Sequence, residues 1–349
     1  MEWIPAAEGA RVTMERRHAR GVLAVVLTAV LLAMLLATPL ASGCARVGPP
    51  AATAPASAAA STAPAPEPTG TPATTATASV TPPLTFAIIG DYGTGDSHER
   101  AVARLVASWD PAFVVTAGDD YYARAGGSGT NKYRRSTGAF YGMWLPGSET
   151  TRNDFFPVLG NHDYSDAGLR YYLRYFDLPG PGFVSSSGNE RYYDFTWGQV
   201  HFFMLDSNPG ERDGTGKTSK QAKWLKRELA ASMSQWNIVV DHHPPYSSDS
   251  KHGSTAALQW PFASWGADAV VSGHAHTYER ISRSGIVYFV NGLGGAARYG
   301  FDTRVRGSAK RYNANWGAQK VTVDDGGITF AFYSVSGKLV DRYRLQSAD

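Results

Sequence analysis

Residues 113–122 read FVVTAGDDYY, an apolar run that ends in a glycine, two carboxylates and two phenols. The run 113–115 is typical of a buried strand, and Gly118 marks the turn that ends it. Acidic side chains directly after a buried strand are costly unless a partner offsets them. Because ligands bind at the carboxyl ends of strands in open α/β sheets, Asp119 and Tyr122 could hold a hard cation there. Taken alone, however, the stretch favours a plain turn in which Asp119 caps the next segment.

Four further apolar runs end in the same way, each in a short cluster of polar side chains. The runs and their clusters are 84–89 with Asp91, 156–159 with Asn161 and His162, 236–240 with His242, and 269–271 with His274 and His276. One or two such clusters could be caps or turns. Five strand ends that together supply carboxylates, an amide oxygen and imidazoles instead indicate one site at the carboxyl edge of a sheet.

The remaining periodicity predicts the architecture. We expect helices over 98–109, 217–233 and 254–264, and a hairpin over 192–205. The alternating segments 286–290, 319–323, 328–333 and 339–345 predict antiparallel strands that close a second sheet. The fold class is therefore α/β (α+β layered), a two-sheet β-sandwich flanked by helices with its active site at the C-terminal ends of the strands.

The first 83 residues do not resemble folded protein. A basic start that includes Arg16 and Arg17 precedes the apolar run 22–36, which is typical of an export signal and short of the roughly 20 residues that a spanning helix needs. The only cysteine, Cys44, follows in a context that resembles a bacterial lipoprotein box. Lipidation of Cys44 and ordinary cleavage nearby, which would leave a free thiol, both remain open.

Three segments follow from these observations. Residues 1–44 are expected to form a signal peptide or lipoprotein signal, and residues 45–83 an Ala/Pro/Thr-rich disordered tether, since they cannot bury enough apolar surface to fold. Residues 84–349 would form the catalytic domain. They carry 28 Lys and Arg against 26 Asp and Glu, a balance too even to indicate a nucleic-acid partner.

The donor types restrict the metal. Oxygen and imidazole ligands without a thiolate suit Mg, Mn, Fe or Zn rather than a soft metal or an iron–sulfur cluster. The number of donors exceeds what one tetrahedral ion needs, which suggests two ions that share a carboxylate. Two-metal sites with ions ~3.5–4 Å apart are used for phosphoryl transfer.

In order and spacing, the clusters resemble the motifs of the calcineurin-like metallophosphoesterases, over about residue 84 to the C-terminus. The matching motifs are Asp91-x-Gly93, Gly118-Asp119-x-x-Tyr122, Gly160-Asn161-His162-Asp163, Val239-x-x-His242 and Gly273-His274-x-His276. General members of that superfamily usually have a histidine where this chain has Gly93. Gly93 together with Tyr122 resembles the purple acid phosphatase branch, in its compact, tartrate-resistant-like form.

The resemblance implies a role for each of these residues. It implies a first ion, Fe(III), bound by Asp91, Asp119, Tyr122 and His276, and a second ion, Fe, Zn or Mn, bound by Asn161, His242 and His274, with Asp119 as the bridge. His162 would contact phosphate and protonate the leaving group. His252 is similar in position to a substrate-contacting histidine but could equally be a solvated loop residue. Tyr164, Tyr246 and Tyr299 could border the cleft.

The implied function is that of an exported dinuclear acid phosphatase that hydrolyses phosphate monoesters by in-line attack of a metal-bound hydroxide. Two alternatives stay open: a phosphodiesterase or nucleotide hydrolase with the same metal site, and a non-catalytic surface lipoprotein with a retired site. The expected partner is a small phosphorylated substrate and not a nucleic acid. Contact with a membrane is expected only through the signal or a lipid anchor, so that the protein is either lipid-anchored at the cell surface or secreted.

Overall fold

The computed structural model describes residues 83–147, 151–165 and 168–347. The predicted signal, the lipidation candidate Cys44 and all but the last residue of the predicted tether lie outside these ranges and stay predictions. Among the described residues, no helix has the length and apolar character that crossing a membrane requires.

The described chain forms thirteen strands. They are β1 Leu84–Ile89, β2 Val114–Thr116, β3 Phe155–Phe156, β4 Tyr193–Trp197, β5 Val200–Met204, β6 Trp236–Val240, β7 Ala269–Ser272, β8 Tyr278–Arg283, β9 Ile286–Asn291, β10 Ser308–Tyr312, β11 Gly317–Asp324, β12 Gly327–Ser334 and β13 Leu339–Gln346.

Six α-helices lie between the strands of the described chain. They are α1 Ser97–Ala107, α2 Asn131–Tyr133, α3 Ala139–Tyr141, α4 Gly168–Tyr175, α5 Lys220–Ala231 and α6 Phe262–Trp265. The two long helices start at capping residues: Asp96 accepts hydrogen bonds from backbone N–H groups of α1, and Ser219 accepts one from α5. Such caps satisfy N–H groups that have no partner within the helix.

The strands form two mixed sheets. The first has the order β13-β12-β11-β1-β2-β3, in which β1, β2 and β3 are parallel neighbours. The second has the order β10-β8-β9-β7-β6-β5-β4, in which β5, β6, β7 and β9 are parallel neighbours. The parallel strands therefore form one end of the first sheet, with β3 at its edge, and the middle of the second sheet, with antiparallel strands on both sides.

The two sheets pack face to face on an aromatic core. Phe86 of β1 meets Phe202 of β5 with ring centroids 5.2 Å apart, and Phe330 of β12 stacks on Phe289 of β9 at 4.7 Å. The other face of the second sheet is covered by α5 and α6, whose buried side chains form a separate apolar cluster with strands β5, β6 and β7. The arrangement confirms the predicted sandwich flanked by helices.

Parallel strands of both sheets end at the same edge. The Nδ1 atom of His242, which follows β6, hydrogen-bonds the carbonyl of Ala117, which follows β2, at 2.8 Å. The backbone N–H of His274, which follows β7, donates to Asp91 Oδ2, which follows β1, at 2.8 Å. The loops after β1, β2, β3, β6 and β7 thus meet across the seam between the sheets.

Three details differ from the sequence prediction. The tail strands do not all close the second sheet: β9 lies in it, but β11, β12 and β13 join the first sheet through β1. The helix expected over 254–264 is reduced to a 3-10 turn at Ala256–Leu258 and the single turn of α6, since Pro261 interrupts it. Strands β8 and β10 were not expected, because both carry charged residues at positions that a buried strand would fill with apolar ones.

Candidate metal centre

Four of the predicted ligands converge on one side of the site. The Tyr122 hydroxyl lies 2.9 Å from Asp119 Oδ2, 3.3 Å from Asp91 Oδ1 and 3.1 Å from His276 Nε2. His276 Nε2 is in turn 3.3 Å from Asp91 Oδ1. These four atoms, called here the tyrosine group, come from the ends of β1, β2 and β7.

The other three predicted ligands converge beside them. Asn161 Oδ1 lies 3.0 Å from His242 Nε2 and 2.9 Å from His274 Nδ1. Together they form what is called here the asparagine group, supplied by the ends of β3, β6 and β7.

Asp119 connects the two groups. Its Oδ2 atom belongs to the tyrosine group, while its Oδ1 atom lies 3.5 Å from His242 Nε2 in the asparagine group. Ligand atoms of Asp91, Asp119 and His242 all lie within 4.8 Å of one another, as cation ligands must. The structure therefore brings all seven predicted ligands together, with Asp119 in the position expected of a bridge.

The histidines are held with their free nitrogens toward the site. His276 Nδ1 donates to the carbonyl of Ala297 at 2.5 Å, and His242 Nδ1 donates to that of Ala117 at 2.8 Å. A carbonyl accepts but cannot donate, so these bonds place the hydrogen on Nδ1 and leave the Nε2 lone pair facing the other ligands. Backbone carbonyls orient metal-binding histidines in this way.

The donor set fits cations. In the tyrosine group, the Nε2 lone pair of His276 faces a carboxylate oxygen of Asp91 at 3.3 Å, and two acceptors at this distance repel unless a proton or a cation lies between them. The carboxylates are fully or almost fully buried, and buried charges require pairing or metal coordination. Two groups that share one carboxylate offer places for two ions.

The backbone is strained at the same positions. Asp91, Asp119 and His274 have φ angles of 56°, 56° and 64°, in the left-handed region that non-glycine residues seldom adopt. This conformation turns the backbone sharply after each strand and directs the side chain into the site. Strain of this kind persists where the surroundings enforce it and is concentrated at functional sites.

The structure leaves no space for a side chain at position 93. A Cβ on Gly93 would lie 2.2 Å from the carbonyl of Asp120 and 2.3 Å from the Tyr121 nitrogen. The loop that delivers Tyr122 therefore occupies the space that a side chain at position 93 would need. With the loop in this position, a histidine side chain at residue 93 would clash with its backbone.

Burial and neighbouring charges shift the pKa values of three of the proposed ligands. Burial, followed by the charges of Asp119 and Asp91, raises the pKa of Tyr122 well above its usual value. Burial also acts to raise the pKa of Asp91, but the neighbouring His276 and His242 side chains and the backbone N–H of His274 hold it below the ordinary value. Burial and the neighbouring histidines lower the pKa of His274. A phenolate at Tyr122 thus requires a cation beside it.

Both predicted catalytic histidines border the site. The half-buried His162 places its ring 4.4 Å from that of Tyr122, and its backbone N–H donates to Asp119 Oδ1 at 2.9 Å. The exposed His252 lies against the ring of His274 at 4.0 Å. His162 therefore flanks the tyrosine group, and His252 flanks the asparagine group.

Of the three tyrosines expected to border the cleft, Tyr299 does so, with its ring stacked on His276 at 4.0 Å. Tyr246 is buried against Tyr288 instead, with ring centroids 5.0 Å apart. Tyr164 donates its hydroxyl to Asp206, which follows β5.

The end of β5 supplies support that the sequence analysis missed. Ser207 Oγ accepts the backbone N–H groups of His242 and His243 at 3.2 and 2.9 Å and lies 2.8 Å from His243 Nδ1. His243 itself approaches the asparagine group, with its ring 4.4 Å from His274, and burial with the charge of His242 lowers its pKa to about 3. The polar run 206–208 after an apolar strand was the signal that could have revealed this sixth strand end.

Two buried carboxyls lie behind the ligands. Asp163 Oδ2 accepts the backbone N–H groups of Gly160 and Asp120 at 2.9 and 3.2 Å, and Asp120 Oδ1 accepts the hydroxyls of Tyr92 and Thr116 at 2.8 and 2.7 Å. Burial, the largest effect, raises the pKa of Asp120 to about 7. These contacts fix the loops after β2 and β3.

A two-sheet sandwich with a buried oxygen- and imidazole-lined site at the carboxyl ends of its strands defines a metallohydrolase class. The sequence profile of the calcineurin-like phosphoesterase family matches residues 84–278, and the chain belongs to that family.

The relatives agree with the branch that the motifs predicted. The chain is 27% identical over 249 residues to purple acid phosphatase 15 of Arabidopsis thaliana, a match that covers 61% of this chain and 45% of that protein. It is 24% identical over 259 residues to tartrate-resistant acid phosphatase type 5 of Mus musculus, covering 61% and 73%. The purple acid phosphatase of yellow lupin (Lupinus luteus) seeds has a similar fold, with a TM-score of 0.59 at 18% identity over 76% of this chain and 54% of that one. The chain spans about half the length of the plant relatives it matches.

Proposed function

We propose that this chain is an exported, dinuclear metal-dependent acid phosphatase that hydrolyses phosphate monoesters. The observation that carries the proposal is the position of Asp119, which has one oxygen in the tyrosine group and the other 3.5 Å from His242 in the asparagine group. The tyrosine group would hold Fe(III), because a phenolate is a hard anionic donor. The asparagine group would hold Fe, Zn or Mn. When bound, two such ions polarise phosphoryl oxygens and lower the pKa of water.

Residues around the ligands would donate a proton, contact the phosphate and orient a ligand. His162, beside the ring of Tyr122, would give a proton to the leaving alkoxide, which is general-acid work suited to imidazole. His252, against the ring of His274, would contact the phosphate from the other side. Ser207 and Ala117 act through other residues: they orient His242 by hydrogen bonds.

The test uses iron- and zinc-reconstituted protein with p-nitrophenyl phosphate and bis-p-nitrophenyl phosphate as substrates. We expect turnover of the monoester to exceed that of the diester. Asp119→Ala and Asn161→Ala should abolish turnover, since each removes a proposed metal ligand. Asp177→Ala is the matched control, because Asp177 is exposed and makes none of the site contacts.

The outcomes separate the alternatives. Preference for the diester would replace the monoesterase with a phosphodiesterase on the same site. Full activity of either ligand variant would contradict the two-metal proposal. Metal-loaded protein that hydrolyses neither ester would favour the non-catalytic alternative.

Export is part of the proposal and rests on residues 1–44 alone. We expect the protein to leave the cytoplasm of a bacterial host and either to remain on the membrane through a lipid on Cys44 or to be released. Fractionation of cells that express wild type and Cys44→Ser decides between them. A wild type in the membrane fraction that is released by the substitution supports the anchor, whereas release of both supports secretion.

A further inference from the structure

Asp206 and Asn208, which follow strand β5, contact the segment that carries His162 and have no part in the proposed function so far. Both side chains are buried. A buried carboxylate or amide costs stability unless hydrogen bonds satisfy it, so the partners of these two side chains are informative. Each of the two residues bonds to the segment 159–164, which follows β3.

Both oxygens of the Asp206 carboxylate accept hydrogen bonds. Oδ2 accepts the hydroxyl of Tyr164, and Oδ1 accepts the backbone N–H and the side-chain Nδ2–H of Asn208 at 3.0 and 2.9 Å. The Nδ2 group of Asn208 also donates to the carbonyl of Leu159 at 3.1 Å. Asp206 is thus connected, directly or through Asn208, to residues on either side of His162. Asp206 and Asn208 are called here the β5 clamp.

Helix α5 holds the β5 clamp in place. The buried Gln221 of α5 accepts the backbone N–H of Asp206 with Oε1 at 2.8 Å. Its Nε2 group donates to the carbonyls of Asp206 and Gly214 at 2.9 and 3.2 Å. The backbone and the carboxylate of Asp206 are therefore both fixed by hydrogen bonds, which makes the clamp a firm support for the segment 159–164.

The side chain of His162 has no such support. Among the residues that the structure describes, no hydrogen bond holds either of its ring nitrogens, and its ring lies beside that of Tyr122 at 4.4 Å. Its backbone is held instead: the N–H donates to Asp119 Oδ1 at 2.9 Å, and the carbonyl accepts the N–H and the hydroxyl of Ser165 at 3.2 and 2.6 Å. The place of the imidazole therefore depends on the place of the backbone that carries it.

The clamp joins this backbone to the second sheet. Strand β3, which leads to His162, belongs to the first sheet, whereas β5 belongs to the second, as do the strands that precede His242 and His274. The clamp thus fixes His162 relative to ligands on the other side of the seam. A general acid must lie within hydrogen-bond reach of the atom that it protonates, and a misplacement of about 1 Å can cost on the order of a hundredfold in rate.

We propose that the β5 clamp positions His162 for proton transfer to the leaving group. Asp206 and Asn208 are positioning residues that act through Tyr164 and Leu159, and the inference rests on the proposed function. In the reaction, the oxygen of water bonds to phosphorus, and the bond from phosphorus to the leaving oxygen breaks. That oxygen keeps the electron pair and takes a proton from His162, while the attacking water loses one, so a phosphate monoester and water give an alcohol and phosphate.

The experiment compares phenyl phosphate with p-nitrophenyl phosphate in metal-loaded, full-length protein. Because phenolate is the poorer leaving group, its departure depends more on the proton that a general acid supplies. Tyr164→Phe removes only the hydroxyl that Asp206 accepts. We expect it to lower kcat for phenyl phosphate about tenfold, a part of the roughly hundredfold or more that a general acid contributes, and kcat for p-nitrophenyl phosphate less than about threefold.

A double-mutant cycle with His162→Ala shows whether Tyr164 acts through His162. Tyr164→Phe should have no further effect on phenyl phosphate in a chain that already lacks the imidazole. Asp206→Ala should lower kcat for phenyl phosphate at least as much as Tyr164→Phe does. Asp206→Asn should retain most of the activity, because an amide can accept from Asn208 and donate to the Tyr164 oxygen.

Tyr192→Phe is the matched control. Tyr192 also donates its hydroxyl to an aspartate, Asp213 at 2.9 Å, but it forms no hydrogen bond to the segment 159–164. The ratio of the two kcat values should be that of the wild type in this variant. Metal analysis should show the same metal content in Tyr164→Phe as in the wild type, since the substitution leaves all seven proposed ligands in place.

The results separate this inference from the function it rests on. Unchanged activity of Tyr164→Phe, equal losses on the two esters, or additive losses in the double variant would overturn the positioning role of the clamp and leave the phosphatase intact. Hydrolysis of neither ester by the metal-loaded wild type would overturn both. A selective loss on phenyl phosphate that disappears in the absence of His162 would support the clamp.

Discussion

Tyr122 places its hydroxyl within 3.3 Å of Asp91, Asp119 and His276, so one oxygen atom contacts every other member of its group. If the tyrosine group holds Fe(III), iron-loaded protein should show a visible phenolate-to-iron absorption band. Tyr122→Phe should remove the band and weaken metal binding by at least about tenfold. Absorption spectra and metal analysis measure both.

The control for this substitution is Tyr299→Phe. Tyr299 stacks on His276 but has its hydroxyl on Lys251, outside the tyrosine group. The absorption band should remain in iron-loaded Tyr299→Phe. A colourless iron-loaded wild type, or a band that persists in Tyr122→Phe, would rule out tyrosinate-bound iron.

Glu99 on α1 is a buried carboxyl outside the ligand set. Oε2 accepts the Gly95 N–H at 2.6 Å, and Oε1 has no hydrogen-bond partner among the described residues. Burial, the largest effect, and the charge of Asp96 raise its pKa well above 4.5. The native state therefore holds a proton that the unfolded chain loses at lower pH. The contribution of this proton to stability is complete at pH values below the pKa of Glu99 in the unfolded chain. It is lost as the pH rises toward the higher pKa of Glu99 in the folded chain.

Glu99→Gln should remove this pH dependence. A neutral amide keeps an acceptor for Gly95. The free energy of unfolding of the variant should therefore increase relative to that of the wild type as pH rises from about 4.5, by up to about 1.4 kcal/mol per pH unit. Urea unfolding across this range measures it. The same substitution at Glu228, a residue of α5 that is less buried than Glu99, is the charge-matched control. A constant difference at Glu99 would show that its carboxyl is not protonated in the fold.

At the scale of elements, the ends of β1 and β2 fit together only because residue 93 has no side chain. Gly93 N–H donates to the Asp119 carbonyl at 3.2 Å, and Tyr122 N–H donates to the Gly93 carbonyl at 2.7 Å. Gly93→Ala would press a methyl group into the Asp120 backbone at 2.2 Å. We expect a loss of about 3 kcal/mol or more in stability, at or above the upper end of usual overpacking, together with loss of metal.

Gly216→Ala is the matched control, because a Cβ there meets nothing within 4 Å. In urea unfolding and metal analysis, Gly93→Ala should be less stable and bind less metal than Gly216→Ala. Gly93→His should also fail to restore the superfamily pattern while Tyr122 remains. A stable, metal-replete Gly93→Ala would contradict the steric account of the paired change.

At the scale of the molecule, the ligands tie the two sheets together. Asp91, Asp119 and Asn161 follow strands of the first sheet, whereas His242, His274 and His276 follow strands of the second. Bound ions should therefore stabilise the whole sandwich, by about 2.7 kcal/mol at a hundredfold excess over the dissociation constant. Thermal unfolding before and after chelation should show a lower Tm for the depleted protein, restored by added metal.

His242→Ala should reduce this Tm difference, because it removes one ligand of the asparagine group. His98→Ala should leave it unchanged, since His98 stacks on Trp316 instead. Equal Tm values with and without metal in the wild type would mean that the ions do not bridge the sheets.

The sequence by itself indicated most of the strand–helix pattern, the two-sheet class and the five polar strand ends, and the family resemblance implied the ligand set. Those features are local: an apolar run specifies a buried strand, and the polar residues directly after it reveal its functional end. Residues 113–122 contain both the apolar run and the polar residues that follow it. Where local signals were weak, as in the charged strands β8 and β10, the prediction failed.

Only the tertiary structure decided how these pieces meet. Tyr122 and His276 are 154 positions apart, and Asn161 and His242 are 81 apart, so neither contact has a local signature. The pairing of β11 with β1 places the tail strands in the first sheet, and the packing of 300–302 on the loop 248–250 accompanies the stacking of Tyr299 on His276. Such contacts depend on non-local strand pairing and side-chain packing, which periodicity along one chain does not encode.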